Sequence, residues 1–250
     1  MTVFTCADDL PSMLSCIYTA GKCRLGRQNF RLCTEPVEQP CLFEEYVHVD
    51  PDEQKASEVE RKICLMISPG FYNEVMYCTG AYEPDTLDTI YSVIALGFRY
   101  GPQVLKMYQF DEVVRFLTIS KRYGSEAHSF REFSRFNKIG DAYIAHIEPQ
   151  SRVLLPVAEY FADRCPSENW MVIDDIRREA VVHPADEPYY LRRLSDEEFE
   201  RLLRTEDVKD EYNTLWTAYF DKIAIQARIN YRCQMNHFPK WKRKHATEFN

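Results

Sequence analysis

The sequence predicts an α+β fold, mostly helical with a small antiparallel sheet in the C-terminal half. Helices are indicated by apolar residues at three- and four-residue spacing, which recur through residues 52–66 and 85–98. Strands are indicated by alternating apolar residues in 142–147 and by two short apolar runs further on. We therefore expect a largely helical N-terminal region, residues 1–125, and an α+β C-terminal domain, residues 126–250.

The N-terminal region begins with a predicted short strand, TVFTC, followed by a helix that ends near Gly21. Residues 22–50 show no clear period. Three further helices are predicted over 52–67, 86–100 and 111–123. Asp85 stands at the N-cap position of the second of these helices, and Gly101 with Pro102 ends it.

The C-terminal domain contains the strand predictions. The segment 142–147 is one strand, and a hairpin is predicted from strands around 170–173 and 180–183. A helix is predicted between the strand at 142–147 and this hairpin, and it tolerates Pro156 in its first turn. Ser195 and Glu198 have the spacing of a capping box, which predicts a helix start. One long helix is expected over 211–235.

Composition excludes several classes of protein. The net charge of −8 argues against a chain that coats nucleic acid through its overall field. The longest apolar runs fall short of the about 20 residues of a membrane span, and the acidic start MTVFTCADDL lacks a secretory n-region, so a cytoplasmic protein without membrane contact is expected. Nine irregularly spaced cysteines without a C-x-x-C pair indicate free thiols, and no metal site or cofactor is predicted.

A first candidate surface for nucleic acid is the segment EAHSFREFSRF. If helical, it places His128, Arg131 and Arg135 on one face, beside Phe130, Phe133 and Phe136. Arginines can hold phosphates, and exposed phenylalanines can stack on unpaired bases. The alternative is an amphipathic helix with buried phenylalanines and solvated arginines.

A second candidate surface is the C-terminal segment, where basic residues alternate with amides and an aromatic ring. Its candidate contacts are Arg228, Arg232, Lys240, Trp241 and Arg243. The alternative is a cationic helix end that complements the helix dipole, with Trp241 packed on the core.

Catalytic motifs are weak. The H-E-x-x-H signature, the P-loop and the G-x-S-x-G elbow do not occur. Asp174 and Asp175 end a predicted strand, where a turn-forming role is favoured over metal binding. Glu126, His128 and Asn230 are the candidate acid–base residues, because a carboxylate and an imidazole can share a proton transfer.

Dispersed motifs then indicate a family. They include the pair Arg135-Phe136, an aromatic-Phe-x-x-Arg element ending at Arg164, Trp170 before a strand, the helix motif LWTAYF and Arg228-x-Asn230. With these motifs the chain resembles bacterial "probable DNA metabolism" proteins along nearly its whole length. The resemblance implies a gene that accompanies a radical-SAM protein of DNA repair or modification. It also implies a C-terminal domain that occurs fused to uracil-DNA-glycosylase-like proteins.

The expected function is therefore that of an accessory protein in DNA repair or DNA modification. It would act with a radical-SAM partner, which would carry the iron–sulfur cluster because this chain lacks C-x₃-C-x₂-C spacing, and would contact single-stranded or distorted DNA. Two alternatives stay open at this point. One is an enzyme that acts on a damaged base or a nucleic-acid end, and the other is a DNA-independent protein–protein adaptor.

Overall fold

The computed structural model describes residues 1–37, 40–204 and 211–249, and the chain divides into two compact units, Met1–Gly124 and Ser125–Asn250. Within the part of the chain that the structure describes, no helix is both long and apolar enough to cross a membrane.

The first unit is mainly helical and contains one three-stranded sheet. In chain order its elements are β1 (Thr2–Cys6), α1 (Leu10–Lys22), β2 (Phe30–Thr34), β3 (Glu45–His48), α2 (Glu53–Met66), α3 (Pro69–Thr79), α4 (Thr86–Tyr100) and the beginning of α5 (Asp111–Phe133). A 3-10 turn at Gly101–Lys106 connects α4 to α5.

Side chains at the helix starts explain where these helices begin. Asp9 accepts a hydrogen bond from the Ser12 amide, and Asp52 accepts from the amides of Gln54 and Lys55. Asp85 precedes α4, but its carboxylate makes no capping bond and pairs with Arg115 instead. Gly101 ends α4 with a φ of 68°, a conformation that glycine adopts without strain.

The parallel sheet of the first unit was not expected. Both β2 and β3 pair in parallel with β1, which gives the order β2-β1-β3. The segment 22–50, which shows no period in sequence, contains β2 and β3. Only Phe30 and Leu32 of β2 are fully buried and no residue of β3 is, so two such short strands produce no strong apolar pattern.

The second unit is built on a five-stranded sheet of order β4-β5-β6-β7-β8. Its elements are the end of α5, β4 (Phe136–Ile139), β5 (Ala142–Ile147), α6 (Leu154–Arg164), β6 (Trp170–Asp174), β7 (Glu179–His183), β8 (Tyr190–Arg193), α7 (Asp196–Leu203), α8 (Glu211–Ile223) and α9 (Tyr231–His237). The α+β class and the mainly antiparallel sheet are confirmed.

One strand pair in this sheet is parallel. The chain leaves β5, passes through α6 and returns as β6, so β5 and β6 run in the same direction, with Tyr143 beside Trp170 and Ile147 beside Asp174. The other three pairs are antiparallel. The carboxyl ends of β5 and β6 therefore lie at one edge of the sheet.

The two faces of the sheet have different coverings. On one face α6 packs against β6 and β7 through Val157 and Phe161. On the other face an apolar cluster joins the strands to α7, and its buried members are Ile144, Ile173, Ala180, Leu194 and Phe199. The capping box of Ser195 and Glu198 is confirmed at the start of α7.

Two helix predictions in the second unit are wrong. Residues 111–133 form a single helix, so Arg135 and Phe136 lie beyond its end, and Arg135 does not continue the face of His128 and Arg131. The long helix expected over 211–235 is divided into α8, a 3-10 turn at Gln226–Arg228 and α9. The Asn230 side chain accepts from the Cys233 amide and so begins α9 anew.

Candidate functional site

A pocket lined by aromatic rings opens on the α6 face of the second unit. Its volume is about 190 Å³, and the residues that line it are Phe136, Tyr143, Phe161, Cys165, Glu168 and Trp170. Because Tyr143 and Trp170 are neighbours across the parallel pair β5–β6, both rings stand on the same face of the sheet. The edge strand β4 adds Phe136, and α6 adds Phe161.

The pocket walls are held by ring contacts and hydrogen bonds. Phe161 meets Phe136 edge-to-face at a centroid distance of 4.8 Å and approaches Trp170 at 6.3 Å. Trp170 stacks on His183 at 4.8 Å, and its indole nitrogen donates to the Cys165 carbonyl. The walls are therefore fixed by packing before any ligand arrives.

Charged side chains stand around this pocket. Lys138 lies with its ammonium 5.8 Å from the centre of the Tyr143 ring. Arg131 lies 5.9 Å from the ring centre of Tyr160, whose ring contacts Phe161. Glu168 is an exposed lining residue and offers a carboxylate acceptor. An apolar pocket with cations near it suits a ligand that has a planar ring and a negatively charged group attached near that ring.

A second site lies at the carboxyl edge of β5 and β6. His146 lies near the end of β5, Glu148 comes directly after β5, and Asp175 comes directly after β6, so the parallel pairing brings the three together. The His146 Nδ1 lies 2.8 Å from Asp175 Oδ1, and the His245 Nε2 lies 3.5 Å from Asp175 Oδ2. We call Glu148, Asp175, His245 and His146 the histidine–carboxylate cluster.

Burial makes the histidine–carboxylate cluster unusual. The side chains of His146 and Asp175 are 3% and 4% exposed, and the two imidazole rings stack at 5.9 Å. Among the described residues, Asp175 Oδ2 and His146 Nε2 accept or donate no hydrogen bond. Buried polar atoms are usually satisfied, so unsatisfied ones mark a strained or functional site.

The adjacent Asp174 has a structural role, as the sequence favoured. Its carboxylate accepts from the amides of Ile176 and Arg177 and from the Arg177 guanidinium at 3.0 Å, so it builds the turn between β6 and β7. Burial raises the pKa of Asp174, and the bonds from Arg177 oppose that shift. Asp175 instead directs its side chain to His146.

The three candidate acid–base residues are not brought together around one cavity. Glu126 is buried and accepts from the amides of Gln150 and Ser151. His128 is exposed and pairs with Glu132 across one helical turn. Asn230 caps α9. Their catalytic roles stay predictions, but each side chain has a structural contact that accounts for it.

Two of the candidate DNA-contacting arginines are engaged inside the second unit. Arg131 donates to the carbonyl of Pro156 in α6. Arg135 forms a two-pronged bond with Glu248 and lies over the ring of Trp216 at 5.1 Å. Phe130 is buried, as the amphipathic alternative implies.

The C-terminal candidates divide into exposed and engaged residues. Arg243 donates to the Phe238 carbonyl at 2.7 Å and stacks on Phe249, so it fastens the chain end. Arg228, Arg232 and Lys240 are exposed, and Trp241 is 41% exposed. These four side chains remain accessible to a polyanion.

Sequence reasoning missed the pocket and the histidine–carboxylate cluster. The pocket residues look like core residues, and only the β5–β6 register makes their rings converge. The cluster unites residues 146, 148, 175 and 245. His146 and Glu148 have H-x-E spacing, but Asp175 and His245 lie far from them in the sequence. The available signals were a histidine and an acid at the end of one strand and two acids at the end of the next.

The second unit is thus an α+β domain with a mixed five-stranded sheet. It has a ring-lined pocket on one face of the sheet and the histidine–carboxylate cluster at the carboxyl ends of β5 and β6. A family model described as "domain of unknown function", DUF4130, matches residues 84–248. Because the match covers more than half of the chain, the protein belongs to that family. Comparison with curated proteins gives no match, and neither does comparison with solved structures.

Proposed function

We propose that this protein contacts single-stranded or distorted DNA, as an accessory protein of a DNA repair or DNA modification reaction. The observation that carries the proposal is the pocket lined by Phe136, Tyr143, Phe161 and Trp170. An unstacked base can insert among aromatic side chains, and a DNA-contacting protein needs such rings together with cations for the phosphates.

The size of the pocket favours a single base. Pockets for drug-sized ligands begin at roughly 300 Å³, and this one measures about 190 Å³. Glu168 at its edge can accept hydrogen bonds from an exocyclic amine or a ring N–H. Lys138, whose ammonium lies near the Tyr143 ring, and the exposed Arg164, which precedes the lining residue Cys165, are the cations we expect to meet the flanking phosphates.

Two further arguments support the proposal. Residues 211–250 carry seven Lys and Arg against three Asp and Glu, although the whole chain has a net charge of −8. The exposed Arg228, Arg232 and Lys240 lie in this basic segment. The resemblance to "probable DNA metabolism" proteins adds the expectation of a radical-SAM partner and a role in the cytoplasm.

The test is a fluorescence-anisotropy titration of the full chain with single-stranded and duplex oligonucleotides over a salt series. Tyr143→Ala removes one stacking ring and should weaken single-strand binding by about 5- to 100-fold, the range for a stacked base. Lys138→Ala should reduce the salt slope by about one phosphate contact. Quenching of Trp170 fluorescence should accompany binding.

Arg193→Ala is the matched control, because Arg193 is exposed on β8, at the opposite edge of the sheet from β4. It should leave affinity unchanged. If Tyr143→Ala and Lys138→Ala both bind as strongly as the wild-type protein, the pocket assignment is contradicted. No binding even at low salt would contradict DNA contact altogether and favour the adaptor alternative.

The histidine–carboxylate cluster favours a second candidate, an enzyme that acts on a damaged base or a nucleic-acid end. A buried imidazole paired with a carboxylate can transfer a proton. Asp175→Asn should then abolish product formation on oligonucleotides that carry a lesion or a free end, while DNA affinity stays unchanged. A variant that retains full turnover would remove this candidate.

A further inference from the structure

The edge of the sheet that holds the histidine–carboxylate cluster offers three ligand types in a small volume. One carboxylate oxygen of Glu148, one of Asp175 and one ring nitrogen of His245 all lie within 4.8 Å of one another. Donor atoms around a cation at about 2.1 Å stand roughly 3 to 4.2 Å apart. The 3.5 Å between His245 Nε2 and Asp175 Oδ2 falls in that range.

An acidic group close to a histidine is common on protein surfaces, but this one has an independent mark of a ligand site. The Asp175 side chain is only 4% exposed, and within the described residues its Oδ2 receives no hydrogen bond while it faces His245. A desolvated carboxylate oxygen in this state is costly. A cation between Asp175 and His245 would satisfy it.

The remaining contacts of Asp175 are those of an oriented ligand. His146 lies 2.8 Å from its other oxygen, Oδ1, and is itself 3% exposed. Such a second residue fixes the orientation of a metal-binding carboxylate. The backbone holds the arrangement, because His146 and Asp175 lie at the ends of two hydrogen-bonded parallel strands.

We propose that Glu148, Asp175 and His245 form a binding site for one divalent transition-metal cation, with His146 as the positioning residue. Two carboxylates and an imidazole suit Mn²⁺ and the other first-row divalent ions that accept mixed oxygen and nitrogen ligands. Three protein ligands leave coordination positions for water or for a substrate oxygen. This site is separate from the ring-lined pocket and does not depend on DNA binding.

One neighbouring charge competes with the cation. The ammonium of Lys244 contacts Glu148 Oε1, and the Lys244 side chain is 56% exposed. A cation that binds Glu148 must displace the Lys244 ammonium from it. Removing the ammonium should therefore strengthen cation binding, whereas removing a ligand should weaken it.

The experiment is a titration of the chelator-treated full chain with Mn²⁺, followed by the loss of the electron paramagnetic resonance signal of free Mn²⁺. Mn²⁺ is the probe because nine thiols would compete for Zn²⁺. The wild-type protein should bind one Mn²⁺ per chain. Asp175→Asn and His245→Gln should each lower the affinity more than about 10-fold, and His146→Gln about 10-fold.

Lys244→Ala keeps the proposal testable if the buried substitutions unfold the protein, and it should raise the affinity several-fold. His48→Gln is the matched control, since His48 also lies beside two carboxylates, Glu35 and Asp50, but is half exposed. It should change nothing. Absence of Mn²⁺ binding in the wild-type protein, or equal affinity in Asp175→Asn and Lys244→Ala, would overturn the proposal.

Discussion

Arg135 and Glu248 form an ion pair in which both side chains are largely withdrawn from water, with exposures of 19% and 3%. Glu248 also accepts from the indole nitrogen of Trp216 at 3.1 Å. The pair therefore connects the segment after α5 to the end of the chain and to α8. Sequence analysis assigned Arg135 to DNA, and the structure gives it this internal partner.

The charge state of Glu248 links this pair to pH. Burial by itself would raise the pKa of Glu248, but the bonds from Arg135 and Trp216 outweigh it and hold the pKa below the ordinary value of 4.5. A carboxylate with a lowered pKa stabilises the folded state above the unfolded-state pKa. That stabilisation is lost as pH falls through the folded-state value.

We expect Glu248→Gln to lower the free energy of unfolding at neutral pH by about 2 kcal/mol, because the Arg135 guanidinium loses its charged acceptor. The difference from wild type should begin to shrink as pH falls below about 4.5, the unfolded-state pKa, and should vanish below the lower folded-state pKa, where the wild-type carboxylate is neutral in the folded protein as well. Urea unfolding at several pH values measures both effects. Glu159→Gln, on the exposed side of α6, is the control. If the stability difference between Glu248→Gln and wild type does not change with pH, the charge argument is contradicted.

Lys242 shows the same interplay of burial and charge at a partly buried amine. Burial lowers the pKa of Lys242, while the nearby Glu126 carboxylate opposes this. Its ammonium donates to the Ser129 hydroxyl at 2.9 Å. A basic residue in the C-terminal segment is thus not automatically a phosphate contact.

At the scale of the element, two glycines inside helices have opposite surroundings. A Cβ added at Gly124, within α5, would meet no atom within 4 Å. A Cβ added at Gly97, within α4, would clash with the terminal carbon of Ile67, which is itself buried. Both positions lose helix propensity by being glycine, but only one has space for a methyl group.

Gly124→Ala should raise the free energy of unfolding by about 0.5 to 1 kcal/mol, because alanine lowers the backbone entropy lost on forming α5. Gly97→Ala should lower stability, because the displaced Ile67 has no free volume to enter. Thermal and urea unfolding of the two variants measure the difference in sign. A gain in stability for Gly97→Ala would mean that the core around Ile67 adjusts more easily than its burial implies.

The sequence predicted the strongly amphipathic and well-capped elements and failed elsewhere for identifiable reasons. Helix α2 was predicted because Ala56, Val59 and Ile63 repeat at helical spacing. The structure shows that all three are buried. The division between α8 and α9 was missed because no proline or glycine marks it. The signal was Asn230, whose side chain begins a new helix by capping it.

Sites were less predictable than elements because they depend on register. The ring-lined pocket requires Tyr143 and Trp170 to be neighbours, which follows from the parallel return of β6 through α6. The sequence predicted both strands but not their direction relative to each other. If β5, α6 and β6 are interpreted as a crossover unit, their two strands must run in parallel. His146, Glu148 and Asp175 then lie together at the carboxyl ends of the two strands.

At the scale of the whole molecule, the nine cysteines differ in burial and show no disulfide. Cys6, Cys16 and Cys78 are buried, and Cys41 and Cys233 are exposed. The contact with Cys16 and burial raise the pKa of Cys6, and burial raises the pKa of Cys78. Since the thiolate is the reactive form, both effects slow these thiols.

Native alkylation should therefore modify Cys41 and Cys233 first and leave Cys6, Cys16 and Cys78 unmodified until the protein unfolds. Peptide mass spectrometry after timed exposure to iodoacetamide measures the order. Cys233→Ser should remove one fast site and leave the rate at Cys41 unchanged. Early modification of Cys78 would show that the α3–α5 packing of the first unit opens under native conditions.

The three tryptophans, Trp170, Trp216 and Trp241, all belong to the second unit, whereas the first unit carries tyrosines and no tryptophan. Their emission is therefore a built-in reporter of one half of the chain. Excitation at the red edge of tryptophan absorption follows the second unit alone, and far-ultraviolet circular dichroism follows both. Comparing the two signals during denaturation tells, without a label, whether the halves lose structure together.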